Sequence, residues 1–245
     1  MNIAILGASK GMGRAMARQL AERGDRLALL GRDLDELQRS VGDLQVRSDS
    51  KEHYAFHCDL EQPEGFAEAL RQAKDALGSL DAVVVTAALF GTQEALEEDV
   101  EQTRRLLTVN LANTVAFCEH ARKQLMEQGG GTLCVFSSVA GDRGRKPVGI
   151  YGASKAGLSH YLESLDHKYR RQGLKTICIK PGFIKTSMTE GLKPPPFAGE
   201  PEQAARDAIR ALDRGKPVVY TPWIWGWILL IIRWLPRFVM RRINF

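Results

Sequence analysis

The sequence predicts an α/β fold with one doubly wound, mainly parallel sheet of about seven strands flanked by helices. Three observations predict it. Short apolar runs alternate with helical patterns along the chain, and such alternation builds βαβ units. The first apolar run passes directly into a glycine-rich turn, GASKGMG, and then a helical pattern. At 245 residues the chain has an ordinary length for a single domain of this kind, and no repeat, low-complexity tract or long linker divides it.

The elements follow in order. Asn2 to Leu6 (NIAIL) is the first strand, and a helix from Arg14 to Arg23 ends at Gly24. RLALL (26–30) is the second strand, followed by a charged helix over 33–46, a strand over 53–58 and a helix over 64–77. DAVVV (81–85) is the fourth strand and one long helix is expected over 97–128. TLCVF (132–136), a helix over 151–171 and LKTICIK (174–180) come next, then a proline-rich loop over 186–201. A helix over 202–214 and the seventh strand, PVVYT (217–221), complete a domain spanning 1–221; residues 222–245 form a Trp/Arg-rich tail.

Composition narrows the class. Hydrophobic content of 44% and charged content of 26% are those of a soluble globular protein. The net charge of +5 is mild, and four of its cations, Arg233, Arg237, Arg241 and Arg242, follow the last acid, Asp213. The basic balance is thus a property of the tail and points to a membrane surface, not to nucleic acid. Cys58, Cys118, Cys134 and Cys178 have no CxxC or zinc spacing and read as buried free thiols of a reducing compartment. No metal site is expected, although His53 and His57 share a strand face. The N-terminus leads straight into a strand, with no signal peptide, so the expected location is cytoplasmic, peripheral to the inner face of the membrane if the tail binds it.

The chemistry is concentrated between Ser137 and Lys155 (SSVAGDRGRKPVGIYGASK). Tyr151 and Lys155 lie four apart on a helix, hence on one face. A nearby ammonium favours phenolate and is expected to draw the tyrosine pKa down from about 10, suiting it to proton transfer. Ser138 stands at the C-terminal end of an apolar strand, where open α/β sheets carry their sites. In the first turn, Gly7, Gly11 and Gly13 let the backbone pass close to a pyrophosphate at a helix N-terminus.

Ser138, Tyr151-xxx-Lys155 and GxxxGxG together resemble the short-chain dehydrogenase/reductase family, over roughly residues 1–220. The resemblance implies a Rossmann-type domain, an NAD(P) cofactor and interconversion of a ketone and a secondary alcohol. It makes Ser138, Tyr151, Lys155 and Asn110 (in TVNLAN) the catalytic tetrad, with Asn110 holding a water linked to the lysine. It assigns cofactor contacts to Gly7, Ser9, Lys10, Gly11, Met12 and Gly13, to Asp59 at the adenine and to Ala87. Tyr151 and Lys155 also meet the ribose, and the PGxxxT segment supplies Pro181, Gly182, Ile184 and Thr186 for the nicotinamide. Two positions depart from the pattern. Leu6 replaces a threonine, and Val85-Thr86-Ala87-Ala88 replaces NNAG, whose asparagines brace the sheet and the ribose region. An NAD site wants an acid after the second strand; this chain has Gly31 and Arg32 there, and Arg32 with Lys10 fits a 2′-phosphate, so NADP(H) is expected.

The tail, PWIWGWILLIIRWLPRFVMRRINF, is too short in its apolar run to span a bilayer. Arg233, Arg237 and Arg241 are expected on one helical face and Leu230, Ile231, Trp234, Leu235 and Phe238 opposite, with a break at Pro236. Such a segment lies in a membrane interface or packs on a sister subunit. The tail and SSVAGDRGR are similar to membrane-associated family members such as decaprenylphosphoryl-keto-pentose reductases, which implies a hydrophobic or lipid-linked carbonyl substrate. The short lid containing Pro194-Pro195-Pro196 suggests an open site. A homodimer or homotetramer is implied by the family alone. Two other readings stay open: a soluble reductase of small or acyl-chain ketones whose tail serves oligomerisation, and a nucleotide-sensing module without catalysis.

Overall fold

A computed structural model of the chain describes residues 1–243; Asn244 and Phe245, the end of the expected tail, lie outside the described residues. The strands are β1 (Asn2–Leu6), β2 (Arg26–Gly31), β3 (His53–His57), β4 (Ala82–Val85), β5 (Gly131–Phe136), β6 (Leu174–Pro181) and β7 (Val218–Thr221). They form one sheet in the order β3-β2-β1-β4-β5-β6-β7. Every pairing is parallel, as in β1–β4, where Ile3 faces Ala82, and β5–β6, where Phe136 faces Ile179. The order reverses at β1, which places the glycine turn at the switch point, where such sheets bind ligands.

Both sheet faces are covered, so the central strands read as unbroken apolar runs. On one face α3 (Phe66–Leu77), α6 (Thr114–Glu127) and α7 (Gly149–Tyr169) bury Phe66, Phe117 and Leu158. On the other, α1 (Gly11–Glu22), α2 (Leu34–Arg47) and α8 (Pro201–Arg214) bury Met16, Leu20, Leu37 and Ala208. The four cysteines are free and buried.

The helix expected over 97–128 is not continuous. It is α4 (Gln93–Glu98), α5 (Val100–Leu107), a π-helical turn over Thr108–Asn113, and α6. The Asp99 side chain accepts from the Gln102 N–H and starts a new helix there, competition with the backbone that short polar residues offer. The tail forms two helices, α9 (Ile224–Trp234) and α10 (Arg237–Met240), parted at Leu235 and Pro236. The expected single arginine face is therefore absent. Arg233 turns inward and pairs with Asp142, while Leu230, Ile231, Trp234 and Phe238 are exposed.

Candidate active site

The glycine turn is held by close packing. Gly7 has φ +95 and its N–H donates to the Leu30 carbonyl at 2.9 Å. A Cβ on Gly7 would lie 2.6 Å from the Ala87 nitrogen, and one on Gly13 only 2.2 Å from the Gly7 oxygen. The bracing that sequence comparison left missing after β4 comes from Thr86. Its hydroxyl lies 3.1 Å and 3.0 Å from the Leu6 and Gly7 carbonyl oxygens and donates to them. Thr86 was not singled out from sequence; its place in the altered NNAG segment was the available signal. Leu6 gives up the family threonine's hydroxyl and is buried in the core.

A cleft runs from this turn across the ends of β1, β2 and β4. It is lined by Gly7, Ser9, Lys10, Gly11, Met12 and Gly13, then by Arg32, Asp59, Ala87 and Thr186. The N-terminus of α1 opens onto it with no acid in the first turn, which suits an anionic group. At the far end Asp33 caps α2, accepting from the Glu36 N–H at 2.9 Å, and is not among the lining residues. Asp59 accepts from the Glu61 N–H at 2.9 Å. Arg32 lies 3.6 Å from Glu61, which is held more tightly by Arg105 at 2.6 Å. The Arg105 hydrogen bond is what keeps the Glu61 carboxyl below its ordinary pKa. The turn, the helix terminus and the cations fit a dinucleotide with its phosphates at Gly11–Gly13.

The second group of residues gathers where β5 meets α7. Ser138 is extended (φ −170, ψ 156) and caps the short turn Val139–Gly141, its Oγ accepting from the Ala140 N–H at 3.1 Å. Ser137 Oγ donates to the Lys155 carbonyl at 2.9 Å and fixes α7 to the strand end. Gly152 and Gly141 let turn and helix meet: a Cβ on Gly152 would lie 2.8 Å from the Ala140 oxygen. Tyr151, half-buried, is thereby brought next to Ser138, and its ring packs edge-on against Phe90 at 5.2 Å between centroids.

The electrostatics differ from the expected lysine-driven shift. Burial pushes the Tyr151 phenol up to about 12, with the neighbouring Ser138 hydroxyl acting against it. Burial pushes the Lys155 ammonium down to about 8. Lys155 Nζ donates to the Phe136 carbonyl at 3.0 Å and lies 5.8 Å from the Tyr151 ring centroid. Both groups lose hydration, and that loss outweighs their mutual influence. Lys155 lines neither the cleft nor the cavity described next.

Asn110 sits buried in the π-helical turn. Its carboxamide is spent on one residue, accepting from the Leu89 N–H at 2.7 Å and donating to the Leu89 carbonyl at 2.8 Å. It thus secures the loop after β4 that borders the cleft, and a water-holding role would fall to its main chain.

An apolar cavity of about 730 Å³ adjoins the cleft, the two sharing Met12, Phe90, Thr186 and Met188. Ser138 and Tyr151 face it with Pro181, Gly182, Ile184 and Thr186. The proline-rich loop lies over the cavity. Ile184 pairs with Gly199, Lys185 with Glu200 at 2.5 Å, and Leu192, Pro195, Pro196 and Phe197 wall the cavity. Trp225, Ile228 and Ile232 of α9 form another wall, which the sequence reading treated as a separate tail. Trp225 is seated by Gly182, where any Cβ would lie 2.1 Å from its indole nitrogen.

Asp142 holds this wall. Its carboxylate accepts from Lys180 at 2.6 Å, Tyr220 at 2.7 Å and Arg233 at 2.5 Å. Burial opposes its charge, but these donors outweigh burial and keep its pKa below the ordinary carboxyl value. Asp142 directly follows the turn capped by Ser138, so α9 is tied to the Ser138 turn through Arg233.

Together the two hollows form a polar groove opening into an apolar chamber, with a serine–tyrosine hydroxyl pair beside the junction. Such a pair can bind a carbonyl or alcohol oxygen and exchange a proton with it. Comparisons with known proteins agree. The model of the short chain dehydrogenase family matches residues 1–196. Carbonyl reductase family member 4 of Xenopus laevis is 30% identical over 236 residues, covering 93% of this chain and 94% of its own. An uncharacterized oxidoreductase of Mycobacterium tuberculosis is 32% identical, covering 98% and 96% respectively. A solved short-chain type dehydrogenase/reductase from Mycobacterium ulcerans shares the fold at a TM-score of 0.81 and 23% identity, covering 89% of this chain and 86% of that one.

Proposed function

This chain belongs to the short chain dehydrogenase family, and on that premise we propose that it is an NADP(H)-dependent oxidoreductase interconverting a ketone and a secondary alcohol on a hydrophobic substrate. The family uses NAD(P) cofactors, and a bound nicotinamide supplies or accepts the hydride. Tyr151 gives its phenolic proton to the carbonyl oxygen in reduction and recovers it in oxidation. Ser138 Oγ donates to the same oxygen and stabilises its developing charge. Lys155, from the helix face of Tyr151, binds the ribose and sets the phenol's acidity once charged. Asn110 is a positioning residue acting through Leu89 and serves the water relay that the family resemblance implies.

The observation that carries this reading is that Ser138 and Tyr151 face one apolar cavity, which adjoins a glycine-lined cleft. NADP(H) is supported by Lys10 and Arg32, which line the cleft, and by the absence of Asp33, the cap of α2, from that lining. The apolar cavity wall supports a hydrophobic ketone over a small polar one.

The test is fluorescence titration with NADPH and NADH combined with turnover on a panel of ketones. Wild type should prefer NADPH, and Arg32→Ala should lose most of that preference. Tyr151→Phe should bind NADPH normally and lose about a thousandfold in turnover. Equal binding of both dinucleotides would remove the NADP(H) assignment. Near-wild-type turnover in Tyr151→Phe would remove the proposed mechanism.

A further inference from the structure

The helix α9 has two apolar faces. Trp225, Leu229 and Ile232 are buried against Val139, in a cluster whose neighbours include Tyr220. At the complementary positions Trp223, Trp227, Leu230, Ile231 and Trp234 project outward, with Trp234 84% and Trp223 70% exposed. Their spacing of four, seven, eight and eleven residues from Trp223 puts all five on one helical face. An isolated exposed apolar residue means little, but a contiguous helix face of this kind marks a contact surface. Phe238 on α10 continues it.

The C-terminal end of the patch is cationic. Arg237, Arg241 and Arg242 are exposed beyond α9, and no acid follows Asp213. Arg233, at the flank of the apolar face, pairs with Asp142. Tryptophan and arginine beside an apolar face match the chemistry of an anionic bilayer interface. Among the described residues, no helix is long and apolar enough to cross a membrane, so the contact would be peripheral.

We infer that the outward face of α9 docks the enzyme on an anionic lipid bilayer, and that the cavity behind it draws a bilayer-resident apolar ketone directly from the lipid. The second part rests on the reductase reading above. One helix serves both purposes: Trp225, Ile228 and Ile232 wall the cavity while the opposite face meets the membrane. The cavity reaches the surface beside exposed Met188 and Phe197, both lining residues. Phe197 holds φ +63, a left-handed conformation that non-glycine residues rarely adopt. An exposed aromatic kept there at a cavity rim suits entry of an apolar chain.

The test uses the full chain and a Trp227→Ser/Trp234→Ser double variant; neither residue lines the cavity. Wild type should co-sediment with phosphatidylcholine vesicles containing about 30% phosphatidylglycerol, and less with phosphatidylcholine alone or at high salt. The double variant should bind these vesicles about tenfold more weakly. It should turn over a water-soluble ketone at the wild-type rate but a vesicle-embedded long-chain ketone about tenfold more slowly. Three outcomes would overturn the inference: no sedimentation of wild type, equal sedimentation of the variant, or a wild-type dimer in light scattering that the variant converts to monomer. Failure of the reductase reading would appear separately, as no turnover of either ketone while sedimentation persists.

Discussion

The cofactor cleft is built mainly from main chain at the ends of successive strands, whereas the substrate cavity is built from side chains of segments far apart in sequence. Gly7, Gly13 and Thr86 pack so closely that a single Cβ has no room. Across the junction, Phe90, Tyr151, Phe197 and Trp225 come from separate loops and helices and line a cavity of about 730 Å³. Backbone geometry tolerates little change, because a main-chain clash cannot be relieved by rotating a side chain. A wall of side chains can be reshaped at moderate cost. The family resemblance is accordingly carried by the first region and by the Ser138–Lys155 stretch, while the second region is free to vary in shape.

The sharpest way to break the comparison is Gly13→Ala. With the Gly7 oxygen 2.2 Å from the new Cβ, the turn must shift, and NADPH binding should weaken about a hundredfold, equivalent to about 3 kcal/mol. Isothermal titration would read this; binding within about twofold of wild type would mean the turn is more pliant than its packing implies.

A smaller and opposite effect is expected from Trp225→Ala. Removing this buried ring enlarges the apolar cavity and loosens α9, costing stability of about 3 kcal/mol. NADPH affinity should stay near wild type while KM for an apolar ketone rises about tenfold. If NADPH affinity fell as far as ketone affinity, the two regions would not be separable.

The mildest effect is on pH dependence. Tyr151, pushed up to about 12 by burial, keeps its proton throughout the working range. Lys155, pushed down to about 8, is charged below that pH and loses its charge above it. Reductive turnover should therefore hold through neutral pH and decline with an apparent pKa of about 8. The same shift acts on folding with a defined sign: the lysine's contribution is complete above its ordinary pKa and diminishes as pH falls to about 8. A reductive profile flat to about pH 10 would separate Lys155 from the proton-transfer step.

Sequence alone determined the sheet, its parallel alternation and the glycine turn that opens the cleft. Periodicity and glycine spacing report directly on backbone geometry, and each motif lies at the end of one strand. Ser138, Tyr151 and the PGxxxT segment were legible for the same reason, being local in sequence. Tertiary structure decided the rest. Sequence could not show that burial outweighs the Tyr151–Lys155 attraction, because desolvation depends on what packs around both groups. It could not show that Thr86 supplies the missing brace or that the Asn110 amide closes on Leu89, since both depend on approach between distant segments. Least legible was α9. Its composition suggested an independent tail, but Asp142 draws Arg233 inward and leaves one apolar face to the cavity and the other exposed. Hydropathy records how apolar a helix is; only the partners packed against it determine which face is buried.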